Sequence, residues 1–98
     1  MGEEELKMEL YEKGKNLVIE IPALEMDMKD IHVTIKDNFL KITGSKKTIK
    51  EAKKEGYYAK EEKENSFLNE FTLPFKVQEG KAKTELKQGI FRIIVPKK

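Results

Sequence analysis

Residues 31–44 read IHVTIKDNFLKITG. Ile31, Val33 and Ile35 share one face by period two, with His32, Thr34 and Lys36 on the other. The alternation stops at Asp37-Asn38, and Leu40 and Ile42 resume it as far as Gly44. Such a period belongs to extended chain with one side against a core, and it continues outward in both directions. Upstream, Leu6, Met8 and Leu10 alternate with Lys7 and Glu9, and after Lys13-Gly14 residues 16–21 are denser in Val and Ile until Pro22 stops them. Downstream, residues 67–73 alternate up to Pro74, and residues 90–95 form a nearly continuous apolar run ending at Pro96. The pattern predicts seven or eight short strands. The best helical candidate, residues 47–55, offers only Ile49 and Ala52 to a core, so a turn of helix there would be poorly anchored. With no internal repeat and no dividing linker, residues 1–98 read as a single all-β domain, a sandwich or a small barrel.

Composition agrees with a folded domain. Leu, Ile, Val and Phe supply 26 of the 98 residues and the net charge is only +2, so disorder is not expected. Cysteine is absent, which removes disulfide scaffolds, thiolate metal sites and cysteine nucleophiles. Apolar runs fall far short of the ~20 residues that span a bilayer, and the acidic opening lacks a basic n-region; no membrane association and a cytoplasmic location are expected. The charged residues are mostly Lys and Glu, a bias that accompanies thermophily and AT-rich genomes alike.

Residues 46–64 stand apart. They carry seven Lys and five Glu, few aliphatics, and the adjacent Tyr57 and Tyr58. The segment reads as an excursion from the sandwich, either a solvated loop or, if residues 56–60 are extended, a strand on which one tyrosine packs while the other faces outward.

Chemistry is hard to find in the chain. His32 alternates with core-type neighbours, which places it on the wet face of its strand, and Ser45 and Ser66 have no base that spacing would bring beside them. The glycines are scattered singly, so no phosphate-cradling loop is present, and no enzymatic activity, metal or cofactor is expected. Lysines near two tyrosines suggest single-stranded nucleic acid, but the interleaved Glu leaves little basic charge for phosphates, and no nucleic-acid partner is expected.

Four segments together resemble the α-crystallin domain of the small heat-shock proteins. They are IEIPALEMDMKDIHVTIKDNFLKITGSK (residues 19–46), EGYYAKEE (55–62), FLNEFTLP (67–74) and TELKQGIFRIIVPKK (84–98). The last is similar to the family's Ala-x-x-x-Asn-Gly-Val-Leu signature and Val-Pro-Lys ending, with Thr84, Gln88 and Phe91 in place of its alanine, asparagine and leucine. Ala23 follows Pro22 where glycine is usual, and Asn69 takes a position where arginine is common. With so little before Leu6 and an end at Lys98, the family's N-terminal arm and C-terminal Ile-x-Ile tail are expected to be missing.

The resemblance implies an immunoglobulin-like sandwich with a protruding dimerisation strand. Tyr57, Tyr58, Ala59 and Lys60 would insert into a second copy of the chain beside Leu6, Met8 and Leu10, giving a homodimer by strand exchange. It further implies ATP-independent holdase action on unfolding client proteins, with an apolar groove between Ile31, Val33 and Ile35 on one edge and Ala82, Thr84 and Leu86 on the other. The alternative is a CS-domain-like co-chaperone or adaptor that docks on a specific protein.

Overall fold

The computed structural model describes residues 7–23 and 25–98. Tight turns set its strand pairs. At Asp37 and Asn38, φ is 52° and 63°, the two left-handed positions of a type I′ hairpin, whose twist matches that of the strands it joins. It connects β3 (Ile31–Lys36) to β4 (Phe39–Lys54). Gln88 and Gly89, at φ 50° and 76°, form the same kind of turn between β6 (Lys83–Lys87) and β7 (Ile90–Pro96). β1 (Glu9–Lys13) and β2 (Asn16–Pro22) pair across Gly14-Lys15, and β5 (Tyr57–Thr72) follows β4 after Glu55-Gly56.

Among the described residues these seven strands form two antiparallel sheets, ordered β1-β2-β7-β6 and β3-β4-β5. Period two then decides what is buried. Leu17, Ile19 and Ile21 of β2, Leu40 and Ile42 of β4, and Phe91, Ile93 and Val95 of β7 are almost wholly removed from water between the sheets. Each such side chain contributes ~1.5–3 kcal/mol by burial, so this layer holds the sandwich together. Val18 is 3% exposed although it points away from that layer, because Tyr11 and Ile94 flank it in register on the outer face.

The expected all-β sandwich is present, with three differences. First, β4 and β5 are 16 residues each, far from short. Residues 46–64 are neither a solvated loop nor a helical turn but the outer half of this long hairpin, and the molecule is 63 Å long against 28 and 23 Å across. Opposite charges meet across its strands, Lys47 with Glu64, Lys50 with Glu61 and Glu51 with Lys60, which favours pairing where apolar contacts are few. Second, both tyrosines at the tip are exposed, Tyr57 by 58% and Tyr58 by 56%, because the arm projects past the sandwich and neither of its faces has a core beneath it. Third, the first strand is Glu9–Lys13, later than its apolar alternation suggested; Met8 precedes it and packs on the core, and Leu6 lies outside the described residues.

Candidate functional site

The two apolar edges expected from the sequence are edges in the fold as well. β3 ends one sheet and β6 ends the other, so each strand has a neighbour on one side only. On β3, Ile31 is buried, while Val33 and Ile35 are half-buried and pack on the core from its rim. Their strand partners explain the inward direction: Val33 lies opposite Ile42 and Ile35 opposite Leu40, both fully buried. On the other rim, Ala82 and Leu86 are also half-buried against the core, with Leu86 opposite Phe91. Thr84, between them on the same face, is exposed. Both rims therefore present apolar side chains beside an unpaired row of backbone amides and carbonyls, the arrangement that accepts a further strand.

The residues expected to insert into a second copy are placed differently from the expectation of a single free strand. Tyr57, Tyr58, Ala59 and Lys60 are already paired within the chain, opposite Lys54, Lys53, Ala52 and Glu51. What projects is a two-stranded arm whose outer strand, β5, has one free edge along its length, and β1, carrying Leu10, is a free edge of the other sheet. The base of the arm is tied to the loop after β2 by Lys46 with Asp27 at 3.7 Å and Lys63 with Glu25 at 4.0 Å. At its tip the Tyr58 hydroxyl donates to Glu51 at 3.4 Å, and Lys53 Nζ sits 5.9 Å from the Tyr58 ring centroid. These are solvated contacts, each worth under ~1 kcal/mol.

A charged ladder went unnoticed in the sequence. Arg92, the single arginine, donates from Nε to Glu20 at 2.7 Å and from Nη1 to Glu85 at 2.6 Å, bridging β2, β7 and β6 on the outer face. Hydrogen bonds to Glu20 and then Glu85 raise the guanidinium above its ordinary range, so the charge is fixed. Glu, Arg and Glu at the centres of three strands was the available signal, visible only once the register was known.

His32 is exposed on the outer face opposite Thr43. Ser45 and Ser66 face one another across β4 and β5. Among the described residues no three His, Asp or Glu gather as metal ligands, and no helix is long and apolar enough to cross a membrane. An open pocket lined by Asp37, Asn38, Lys76, Val77, Glu79 and Lys98 lies at the turn end of the sandwich, apart from both rims.

Residues 7–98 match the model of the Hsp20/alpha crystallin family. Small heat shock protein C2 of Rickettsia felis is 30% identical over 87 residues, covering 89% of this chain and 55% of the relative. Small heat shock protein C4 of the same organism is 34% identical over 87 residues, covering 89% and 52%. The chain thus spans about half the length of these relatives. The solved structure of a small heat-shock protein from Xylella fastidiosa has a TM-score of 0.73 at 23% identity, covering 99% of this chain and 89% of that one. Heat shock protein 16.0 from Schizosaccharomyces pombe gives 0.73 at 20% identity, covering 100% and 77%. At these identities the likeness shows the fold.

Proposed function

This chain belongs to the Hsp20/alpha crystallin family, and we propose on that basis that it is an ATP-independent chaperone that holds unfolding proteins in solution. The observation that carries the reading is the pair of free rims, with Val33 and Ile35 on β3 and with Leu86 on β6 and Ala82 just before it, each half-buried against the core. An extended client segment laid along either rim gains backbone hydrogen bonds and buries alternate side chains, the two things an unfolding chain has to offer. The driving force is area removed from water, about 25 cal/mol per Å², so capture and release need no nucleotide. Ordering the bound segment offsets much of this gain, and weak, reversible binding to many clients follows.

The working unit in this reading is a homodimer in which the arm of one copy lies beside β1 of the other. Two exposed tyrosines on a projecting arm, and free edges on both β5 and β1, support it.

Light scattering of a heated model client tests the proposal. Precipitation should slow at a high molar ratio of this protein, with ATP making no difference, and Leu86→Glu should lose the effect while staying folded. Equal precipitation with and without the protein would favour the adaptor reading, in which the rims dock on one specific partner.

A further inference from the structure

We propose that a second copy of the chain docks its arm on β1 in one antiparallel register, set by Glu9 opposite the partner's Lys60. This rests on the strand-exchange reading above and adds to it the contact that selects the register. β1 and β5 each have a neighbour on one side only, so either can accept a strand. Glu9 and Tyr11 point to the outer face of their sheet, beside Glu20 and Val18. Tyr58, Lys60 and Glu62 point to the outer face of the arm, opposite Lys53, Glu51 and Ile49. Joining outer face to outer face permits registers only in steps of two residues.

Among those steps, charge chooses. With Glu9 opposite the partner's Lys60, Lys7 meets the partner's Glu62, Leu10 meets the partner's Ala59, and Tyr11 meets the partner's Tyr58. A shift of two in one direction sets Lys7 against the partner's Lys60. The same shift in the other sets Glu9 against the partner's Glu62. Directly opposed side chains lie ~4.5–5.5 Å apart at Cβ, close enough for like charges to oppose pairing.

The chain itself supplies the precedent. Arg92 lies between Glu20 and Glu85 in one row of its sheet, and Glu9 extends that row as a second carboxylate directly opposite Glu20, with no ion pair of its own among the described residues. Lys60 already lies opposite Glu51 and 3.5 Å from Glu62. In the proposed register it stands between Glu51 of its own arm and Glu9 of the copy it docks on, repeating the carboxylate–cation–carboxylate pattern of Arg92. Tyr11, 38% exposed, gains the partner's Tyr58 as its cover.

Charge reversal tests this without relying on any single variant. In Lys60→Glu the dimer contact becomes Glu against Glu, and in Glu9→Lys it becomes Lys against Lys. Each variant alone should dimerise about tenfold or more weakly, because two opposed pairs per dimer turn repulsive. An equimolar mixture should recover dimers as mixed pairs in native mass spectrometry, since both contacts then join Lys to Glu. Wild-type chain that stays monomeric would overturn strand exchange and the register with it. Wild-type and single variants that dimerise equally, beside a monomeric variant with residues 50–61 replaced by Asn-Gly, would overturn the register alone. So would single variants that fail to rescue one another. Spontaneous disulfide dimers of Glu62→Cys would show two arms paired β5 to β5 and would also overturn it.

Discussion

The Phe67 ring packs against Gly44, its partner across β4 and β5: a methyl group added at Gly44 would fall 2.2 Å from Phe67 Cε1 and 2.9 Å from Met26 Sδ. Hydrogen is the only side chain that fits. The ring and the sulfur close the core where the sandwich gives way to the arm, and the loop carrying Met26 is held there by Lys46 and Asp27 at 3.7 Å. Gly44→Ala should therefore cost about 1–3 kcal/mol, as overpacking does in well-filled cores. Thermal unfolding followed by circular dichroism measures it, and Phe67→Leu in the same chain should return part of the loss.

Arg92 joins three strands through two carboxylates. Its raised guanidinium stabilises the fold fully below the ordinary arginine range and loses that contribution only as pH passes the raised value, beyond any working pH. Alkali up to the ordinary arginine range should thus leave the ladder intact. Arg92→Met leaves Glu9, Glu20 and Glu85 in one row without a cation, and the melting temperature should fall. Added salt should narrow the gap from wild type by screening the carboxylates, and a gap that ignored salt would place the loss in packing instead.

Gln88 holds φ at 50° in the turn between β6 and β7, a conformation that asparagine adopts more readily. Gln88→Asn completes an Asn-Gly pair, the preferred filling of a type I′ turn, and should stabilise the fold by roughly 0.5 kcal/mol. Chemical denaturation with an unchanged slope and a higher midpoint is the expected result.

Most of the sandwich was legible because its strands bury one face. Ile31, Val33 and Ile35 announce themselves by period two and residues 90–95 by a nearly continuous apolar run, and the turn residues Asp37-Asn38 and Gly89 mark the ends. The arm was not legible, since its alternation is one of charge. Lys50 opposite Glu61 and Glu51 opposite Lys60 are complementary only after the hairpin register is known, and along the chain they read as solvated polar sequence. The tyrosines misled for a related reason: alternation says that they point to opposite sides but not that both sides are water. Likewise the rims could be named from resemblance, while their standing as the unpaired ends of two different sheets came from topology.

Rim substitutions separate binding from folding. Val33→Asp places a carboxylate where Val33 is only half-buried, so the fold should survive at a cost of about 1–3 kcal/mol while client protection is lost. The dimer should persist, because β1 and the arm lie on other edges. Sedimentation and light scattering on the same sample distinguish the two effects.

An NMR titration of the 98-residue chain with a peptide holding two isoleucines spaced by one residue tests the central claim most directly. Both side chains of such a peptide point to one face, matching alternate positions along a rim. The account predicts weak, saturable shifts at Val33, Ile35, Ala82 and Leu86, abolished by Leu86→Glu. Shifts confined to residues 46–64, or none at all, would contradict it and make the rims ordinary edges of the core.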